Sequence, residues 1–175
     1  MSAGDERIPR GTADFGSLAL VHFDGACDPP RGGGIATYGF TVEGGGTAPH
    51  EERGLAVRPG APHATNNVAE YTGAIRALEW LRARGFRGTV LLVGDSQLVL
   101  RQATGEYEVH AEHLRAYRER LVALVKEFAD VQFRWVPRAE NARADALTKL
   151  AIQEAREAGG LPASGPMDDV DEPKH

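Results

Sequence analysis

Cysteine occurs once in these 175 residues, at Cys27, so the chain can form no internal disulfide and offers no set of thiolates for zinc. That usage suits a reducing compartment, and the cytoplasm is the expected location. No run approaches the ~18 apolar residues of a membrane span, and the first residues carry no apolar signal core, so no membrane association is expected. An excess of basic charge is missing as well. Lys and Arg number 20 against 25 Asp and Glu, for a net charge of −5, which excludes bulk electrostatic coating of nucleic acid and leaves room only for a local basic patch. Gly32-Gly33-Gly34 lacks the Lys-Ser/Thr of a phosphate loop and reads as a turn. His110-x-x-His113 has a metal-ligand spacing but no companion ligands, and reads as a solvated helix face.

What is present is ordinary globular composition, 42% hydrophobic and 26% charged, at a length that suits one domain. Residues 1–16 are polar and aperiodic and read as a flexible arm; residues 17–158 form the domain; residues 159–175, acidic and rich in proline, read as a disordered tail. The run Leu18 to Gly25 is a central strand with apolar side chains on both faces, as in a strand covered on both sides, and it leaves the core at Asp24. Thr89 to Ser96 repeats the design and ends on Asp95. Between them, Ile35–Val42 and Ala48–Val57 read as strands of an antiparallel meander, and a helix runs from Thr65 or Asn66, both able to cap, to a stop at Gly85. A short helix over Ser96–Ala103, a helix over Ala111–Phe128, a strand over Val131–Trp135 and a last helix over about Asn141–Ala158 follow. The order β-β-β-α-β-α-α-β-α specifies an α/β fold, a mixed sheet with helices on both faces. Trp80 and Trp135 read as packing residues.

Four carboxylates fall at the boundaries of these elements: Asp24 and Asp95 at strand ends, Glu70 in the first turns of the first long helix, and Asp145 near the start of the last. Parallel neighbouring strands would bring the two aspartates to one sheet edge, where open α/β sheets bind ligands. Two bare carboxylates about 4 Å apart repel by roughly 4 kcal/mol at an effective dielectric of ~20, so a cluster needs protons or a cation. An all-oxygen donor set suits Mg²⁺ or Mn²⁺, ions that complete their shells with water and phosphate, and this implies a phosphodiester substrate. Taken singly, each acid has a structural reading as a turn residue, an N-cap or a helix-start acid. Their company of short polar side chains, Thr65-Asn66-Asn67 before Glu70 and Gln97 after Asp95, weighs toward a site for hydroxyls and phosphates.

Asp24-Gly25-Ala26-Cys27, Thr65-Asn66-Asn67-Val68-Ala69-Glu70-Tyr71, Gly94-Asp95-Ser96-Gln97-Leu98-Val99, and Trp135-Val136-Pro137-Arg138 with Asn141 and Ala144-Asp145-Ala146-Leu147 resemble, in that order, type 1 ribonuclease H (ribonuclease HI). The resemblance spans about Leu18 to Ala158. It implies the ribonuclease H-like fold, a five-stranded mixed sheet with antiparallel meander and parallel strands, and endonucleolytic hydrolysis of the RNA strand of RNA/DNA hybrids to 5′-phosphate and 3′-hydroxyl ends. It further implies that Asp24, Glu70, Asp95 and Asp145 bind Mg²⁺ or Mn²⁺, two ions per active site with substrate. Asp24 would bridge both, with Asp145 on the ion that activates water and Glu70 and Asp95 on the ion at the leaving oxygen, as two-metal displacement requires. Asn66, Asn67 and Gln97, with the backbone at Gly25, Ala26 and Cys27, match positions that contact RNA 2′-hydroxyls, the group by which RNA is told from DNA. Thr65 matches a contact to the DNA-strand phosphate, Asn141 belongs to the substrate-side set, and Cys27 is a small substrate-side residue rather than a nucleophile.

Two departures mark the shorter, archaeal-like branch of that family. The loop before the last helix offers Arg138 where a histidine is usual, and the basic protrusion is missing, because Gln102–Glu112 is compact and holds Glu106, Glu108 and Glu112. Some members of that branch also cut RNA duplexes. A monomer is expected. Transposases, integrases and proofreading exonucleases share the strand-end acids, but Asn66, Asn67 and Gln97 favour a 2′-hydroxyl reader. A non-catalytic hybrid-binding module would be expected to have lost one of the four acids, and all four are present.

Overall fold

A computed structural model describes residues 18–159. The expectations for the arm at 1–16 and for the tail beyond Gly159 lie outside the described residues. Five strands form one sheet: β1 (Leu18–Asp28), β2 (Ile35–Gly44), β3 (His50–Leu55), β4 (Thr89–Gly94) and β5 (Asp130–Trp135). The helices are α1 (Asn66–Ala83), α2 (Gln97–Ala103), α3 (Glu112–Val125) and α4 (Ala142–Gly159), the last preceded by a 3₁₀ turn at Arg138–Asn141. Strands stand in the order β3-β2-β1-β4-β5, the first three antiparallel and β1, β4 and β5 parallel. The mixed α/β architecture and the element order are those read from the sequence, with boundaries moved by a few residues.

The register positions the acids. His22 of β1 pairs with Val93 of β4, so Asp24 and Asp95, two residues further on, lie side by side where that parallel pairing ends; β1 itself continues to Asp28 through its pairing with β2, so Asp24 stands mid-strand and not at the exit read from the sequence. One face of the sheet, with Ala19, Val21, Phe23, Phe40, Val42, Val90 and Leu92, packs on Val68, Tyr71, Leu78 and Leu81 of α1, and α3 closes the core with Leu114, Leu121 and Leu124. At roughly 1.5–3 kcal/mol for each large apolar side chain removed from water, this layer is the main source of stability. Because α1 lies between the sheet and α3, it is buried on most of its circumference, with small residues such as Ala69 and Gly73 on the sheet side.

The second face departs from the expectation of a strand covered on both sides. There α4 packs on β1, β2 and β3, and Thr37 Oγ1 donates to Thr148 O at 2.8 Å. The start of β1 escapes this cover: Leu18 is 46% exposed and Leu20 half-buried. Trp80 packs as expected, its ring 4.1 Å from that of His50 and under the Arg84 guanidinium. Trp135 does not: at the end of β5 it is 47% exposed, and its indole Nε1 donates to Asp95 O at 3.1 Å. His113 is exposed on α3, as a solvated helix face requires, whereas His110, also exposed, lies in the loop ahead of that helix.

Candidate active site

Asp24 lies in the middle of a long central strand, yet its neighbourhood is built by a helix that approaches unusually closely. A Cβ on Gly25 would stand 2.1 Å from Glu70 N, and one on Gly73 2.7 Å from Asp24 O. Only glycine at these two positions lets the first turns of α1 lie against β1 and bring Glu70 beside Asp24. The N-terminus of α1 is held by Thr65, whose Oγ1 accepts from Val68 N at 3.3 Å. Ser96 caps α2 in the same way, accepting from Val99 N at 3.2 Å, and so holds the turn that follows β4 and carries Asp95.

These constraints bring Asp24, Glu70 and Asp95 together, with one carboxylate oxygen of each within 4.8 Å of the others. Asp24 is 5% exposed, and its Oδ1 accepts from Gly25 N at 2.8 Å. Burial, followed by the charge of Asp95 and then those of Glu70 and Asp145, pushes its pKa up to about 8. Glu70 is pushed up to about 7, chiefly by burial and then by Asp95, against a hydrogen bond from Ser96. Asp95 is raised by burial, with Arg138 opposing. Without a counter-charge the cluster therefore holds protons at neutral pH. Three convergent carboxylates with no nitrogen or sulfur donor fit a hard divalent cation, whose charge would relieve the repulsion that raises these pKa values.

Asp145 stands outside this trio. Its Oδ1 accepts from Arg138 Nη2 at 3.0 Å and its Oδ2 faces Lys149 Nζ at 2.8 Å, so each of its oxygens already has a cationic partner. Burial works to raise its pKa, but the hydrogen bonds from Lys149 and Arg138 outweigh it and hold the carboxyl below its ordinary value. Lys149 was not singled out by the motifs. The signal was the i, i+4 spacing from Asp145, which puts the two side chains on one helix face.

The remaining candidates divide by exposure. Asn66 and Gln97 are exposed, and Thr65 and Asn67 half-buried, on the helix starts that lead into Glu70 and follow Asp95. Asn66 Oδ1 accepts from Cys27 N at 2.8 Å, which joins the start of α1 to β1 and leaves the Asn66 amide N–H groups for another acceptor. Gly25 and Ala26 are half-buried in β1 beside them. Cys27 itself points inward: its Sγ donates to Ala64 O at 3.0 Å, and burial, reinforced by Asp28, pushes the thiol up to about 11, so it is no nucleophile. Its backbone N–H, rather than its side chain, meets Asn66. Asn141 is also turned inward, 1% exposed with Nδ2 donating to Phe23 O at 2.9 Å, which ties the turn before α4 to the central strand. It is an anchor for that turn, not the surface contact expected from the sequence. Arg138 is exposed and spends its guanidinium on Asp145.

Residues 50–151 match the family model described as reverse transcriptase-like. Ribonuclease HI of Halobacterium salinarum is 39% identical over 143 residues, 81% of this chain and 68% of the relative. The crystal structure of RNase H1 from that archaeon aligns with a TM-score of 0.67 at 37% identity, covering 78% of this chain and 98% of that one. A bifunctional protein of Mycobacterium tuberculosis is 35% identical over 74% of this chain, which spans only 35% of that relative's length. LC11-RNase H1, solved in complex with an RNA/DNA hybrid, aligns with a TM-score of 0.67 at 31% identity over 78% of this chain and 98% of its own. A five-stranded sheet shared with these structures, and more than a third of the residues shared with the archaeal enzyme over four-fifths of the chain, establish that the chain belongs to the ribonuclease H family of nucleases.

Proposed function

We propose that the chain is an endoribonuclease that hydrolyses the RNA strand of RNA/DNA hybrids and uses two divalent cations, Mg²⁺ or Mn²⁺, held by Asp24, Glu70, Asp95 and Asp145. The convergence of Asp24, Glu70 and Asp95 within 4.8 Å on a ribonuclease H fold carries this reading. Hybrid binding by the structural relative LC11-RNase H1 supports the substrate class. When bound, the cations would supply an activated water and charge to stabilise the departing 3′ oxygen.

The protein's own residues do the rest. Asp24, central and nearly buried, is fixed by the Gly25 N–H so that one of its oxygens faces both Glu70 and Asp95. A cation has to compete with the protons that burial and mutual repulsion favour on Asp24 and Glu70, so loading weakens as pH falls. Asn66, its carbonyl already satisfied by Cys27 N–H, presents donors to a 2′-hydroxyl, and Asn67 and Gln97 at the starts of α1 and α2 are assigned to the same hydroxyl-reading set. Thr65 keeps its hydroxyl proton free for a phosphate oxygen while its lone pair caps α1. Arg138 supplies a fixed positive charge at the mouth of the site, and because guanidinium does not deprotonate it steadies phosphate or product without moving a proton.

A panel of end-labelled RNA/DNA hybrid, RNA duplex and DNA duplex, each with Mg²⁺, Mn²⁺ or chelator, tests the reading. Internal cuts in the RNA strand of the hybrid, dependent on metal, are expected. RNA duplex belongs in the panel because 2′-hydroxyl readers on one strand do not depend on the sugar of the other. Cutting of DNA duplex at a comparable rate, or of hybrid in chelator, would overturn the proposal.

A further inference from the structure

The four acids do not form one uniform cluster. Three converge without a cationic partner, while the fourth carries a cation on each oxygen, Arg138 Nη2 at 3.0 Å on Oδ1 and Lys149 Nζ at 2.8 Å on Oδ2. From this split we infer that Lys149 is an internal competitor for the divalent ion at Asp145, occupying an oxygen of that carboxylate until the ion displaces it. The inference rests on the proposed role of Asp145 as a metal ligand.

Geometry supports a displaceable partner. Lys149 is one helical turn beyond Asp145 on α4, its side chain is 64% exposed, and Asp145 is its sole ion-pair partner among the described residues. An ammonium on a flexible four-carbon stem can swing into water at little cost when a doubly charged ion arrives. Arg138 cannot take over the same task, because it sits on the other oxygen and reaches Asp145 from the 3₁₀ turn. Asp24, Glu70 and Asp95 have no such partner at hydrogen-bond distance: no ion pair to any of the three occurs among the described residues. Loading is therefore stepwise. The first ion meets three carboxylates without a cationic partner, whereas the second must release Lys149.

The test is Mn²⁺ binding to the full chain without nucleic acid, followed by the paramagnetic signal of free Mn²⁺, for wild type, Lys149→Met, Lys149→Arg, Asp145→Asn and the Asp145→Asn, Lys149→Met double variant. An exposed ion pair is worth about 0.2–1 kcal/mol, so Lys149→Met should tighten the weaker Mn²⁺ step by about 1.4- to 5-fold and leave the tighter step unchanged. Lys149→Arg, which keeps the charge, should restore the wild-type isotherm. In cleavage assays the Mn²⁺ concentration for half-maximal rate should fall by the same factor in Lys149→Met, with the plateau rate kept. The double variant should bind as Asp145→Asn does. An Asp145→Asn isotherm identical to wild type would remove the metal role of Asp145 and the inference with it. If Asp145→Asn loses the weaker step while Lys149→Met superimposes on wild type, the ligand assignment stands and the competitor role of Lys149 is overturned.

Discussion

Replacing Asp24 by Asn should make the metal-free protein more stable, and only above about pH 4. In the folded state the Asp24 carboxyl is pushed from 3.8 up to about 8 by burial and by Asp95, Glu70 and Asp145. A carboxyl whose folded pKa lies above its unfolded value binds more protons folded than unfolded between those values, so its presence weakens the fold as pH rises through that window. Below the unfolded value both states are protonated and no penalty exists. At about 1.4 kcal/mol per pH unit, the interval from 3.8 to neutrality gives an upper limit on the order of 4 kcal/mol, and relaxation and water entry reduce it to roughly 2. Asn is isosteric, cannot ionise and can still accept from Gly25 N. Urea unfolding in chelator at pH 4 and pH 7.5 provides the assay. Asp24→Asn should unfold near the wild-type midpoint at pH 4 and at clearly higher urea at pH 7.5. Equal stability at both pH values, or a gain that is the same at both, would refute the electrostatic reasoning.

Other perturbations have equally definite outcomes. Millimolar Mg²⁺ should raise the melting temperature of wild type more than that of Asp24→Asn, since a ligand that binds only the native state stabilises by mass action; scanning fluorimetry with and without chelator reads this. Gly25→Ala should lose several kcal/mol and all cleavage, because its Cβ would stand 2.1 Å from Glu70 N and must push α1 off β1; circular dichroism melts should show the loss. Asn66→Ala removes the acceptor for Cys27 N–H and the proposed 2′-hydroxyl donors, and should raise KM for hybrid more than it lowers kcat in steady-state assays. Arg138→Ala should lower turnover at every pH without reshaping the pH profile, and Arg138→Lys should recover part of it; a wild-type rate in Arg138→Ala at both limiting and saturating hybrid would make the residue a solvated loop charge.

Asp24 and Asp95 were legible because each ends a nearly continuous apolar run, a pattern that needs no tertiary information beyond parallel pairing of β1 and β4. Glu70 was legible through the polar residues ahead of it on α1. The unequal treatment of the acids was not. Motif order places Asp145 beside the others, but which oxygen faces which cation depends on the register of α4 and on side chains a turn away at Arg138 and Lys149. Inward or outward rotation was equally hidden at Asn141 and Cys27, both in the motifs and both turned into the protein. The alternation in β1 implied cover on both faces, and Leu18 is exposed because α4 crosses only part of the second face. At Trp135 the alternation of β5 was real, but a strand at the sheet edge buries little at its last residue.

The central claim is that the carboxylate trio acts on the RNA of a hybrid by holding cations, and it is tested most directly by measuring binding and cleavage of one labelled RNA/DNA hybrid in parallel, for wild type and Asp24→Asn, at saturating Mg²⁺. Asp24→Asn is expected to bind the hybrid with an affinity close to wild type, because the proposed hydroxyl-reading residues and Gly25 are untouched, while its cleavage rate falls by about a thousandfold or more, the loss expected when a group that stabilises the transition state by roughly 4 kcal/mol is removed. A folded Asp24→Asn protein that cuts the hybrid at near the wild-type rate would contradict the account.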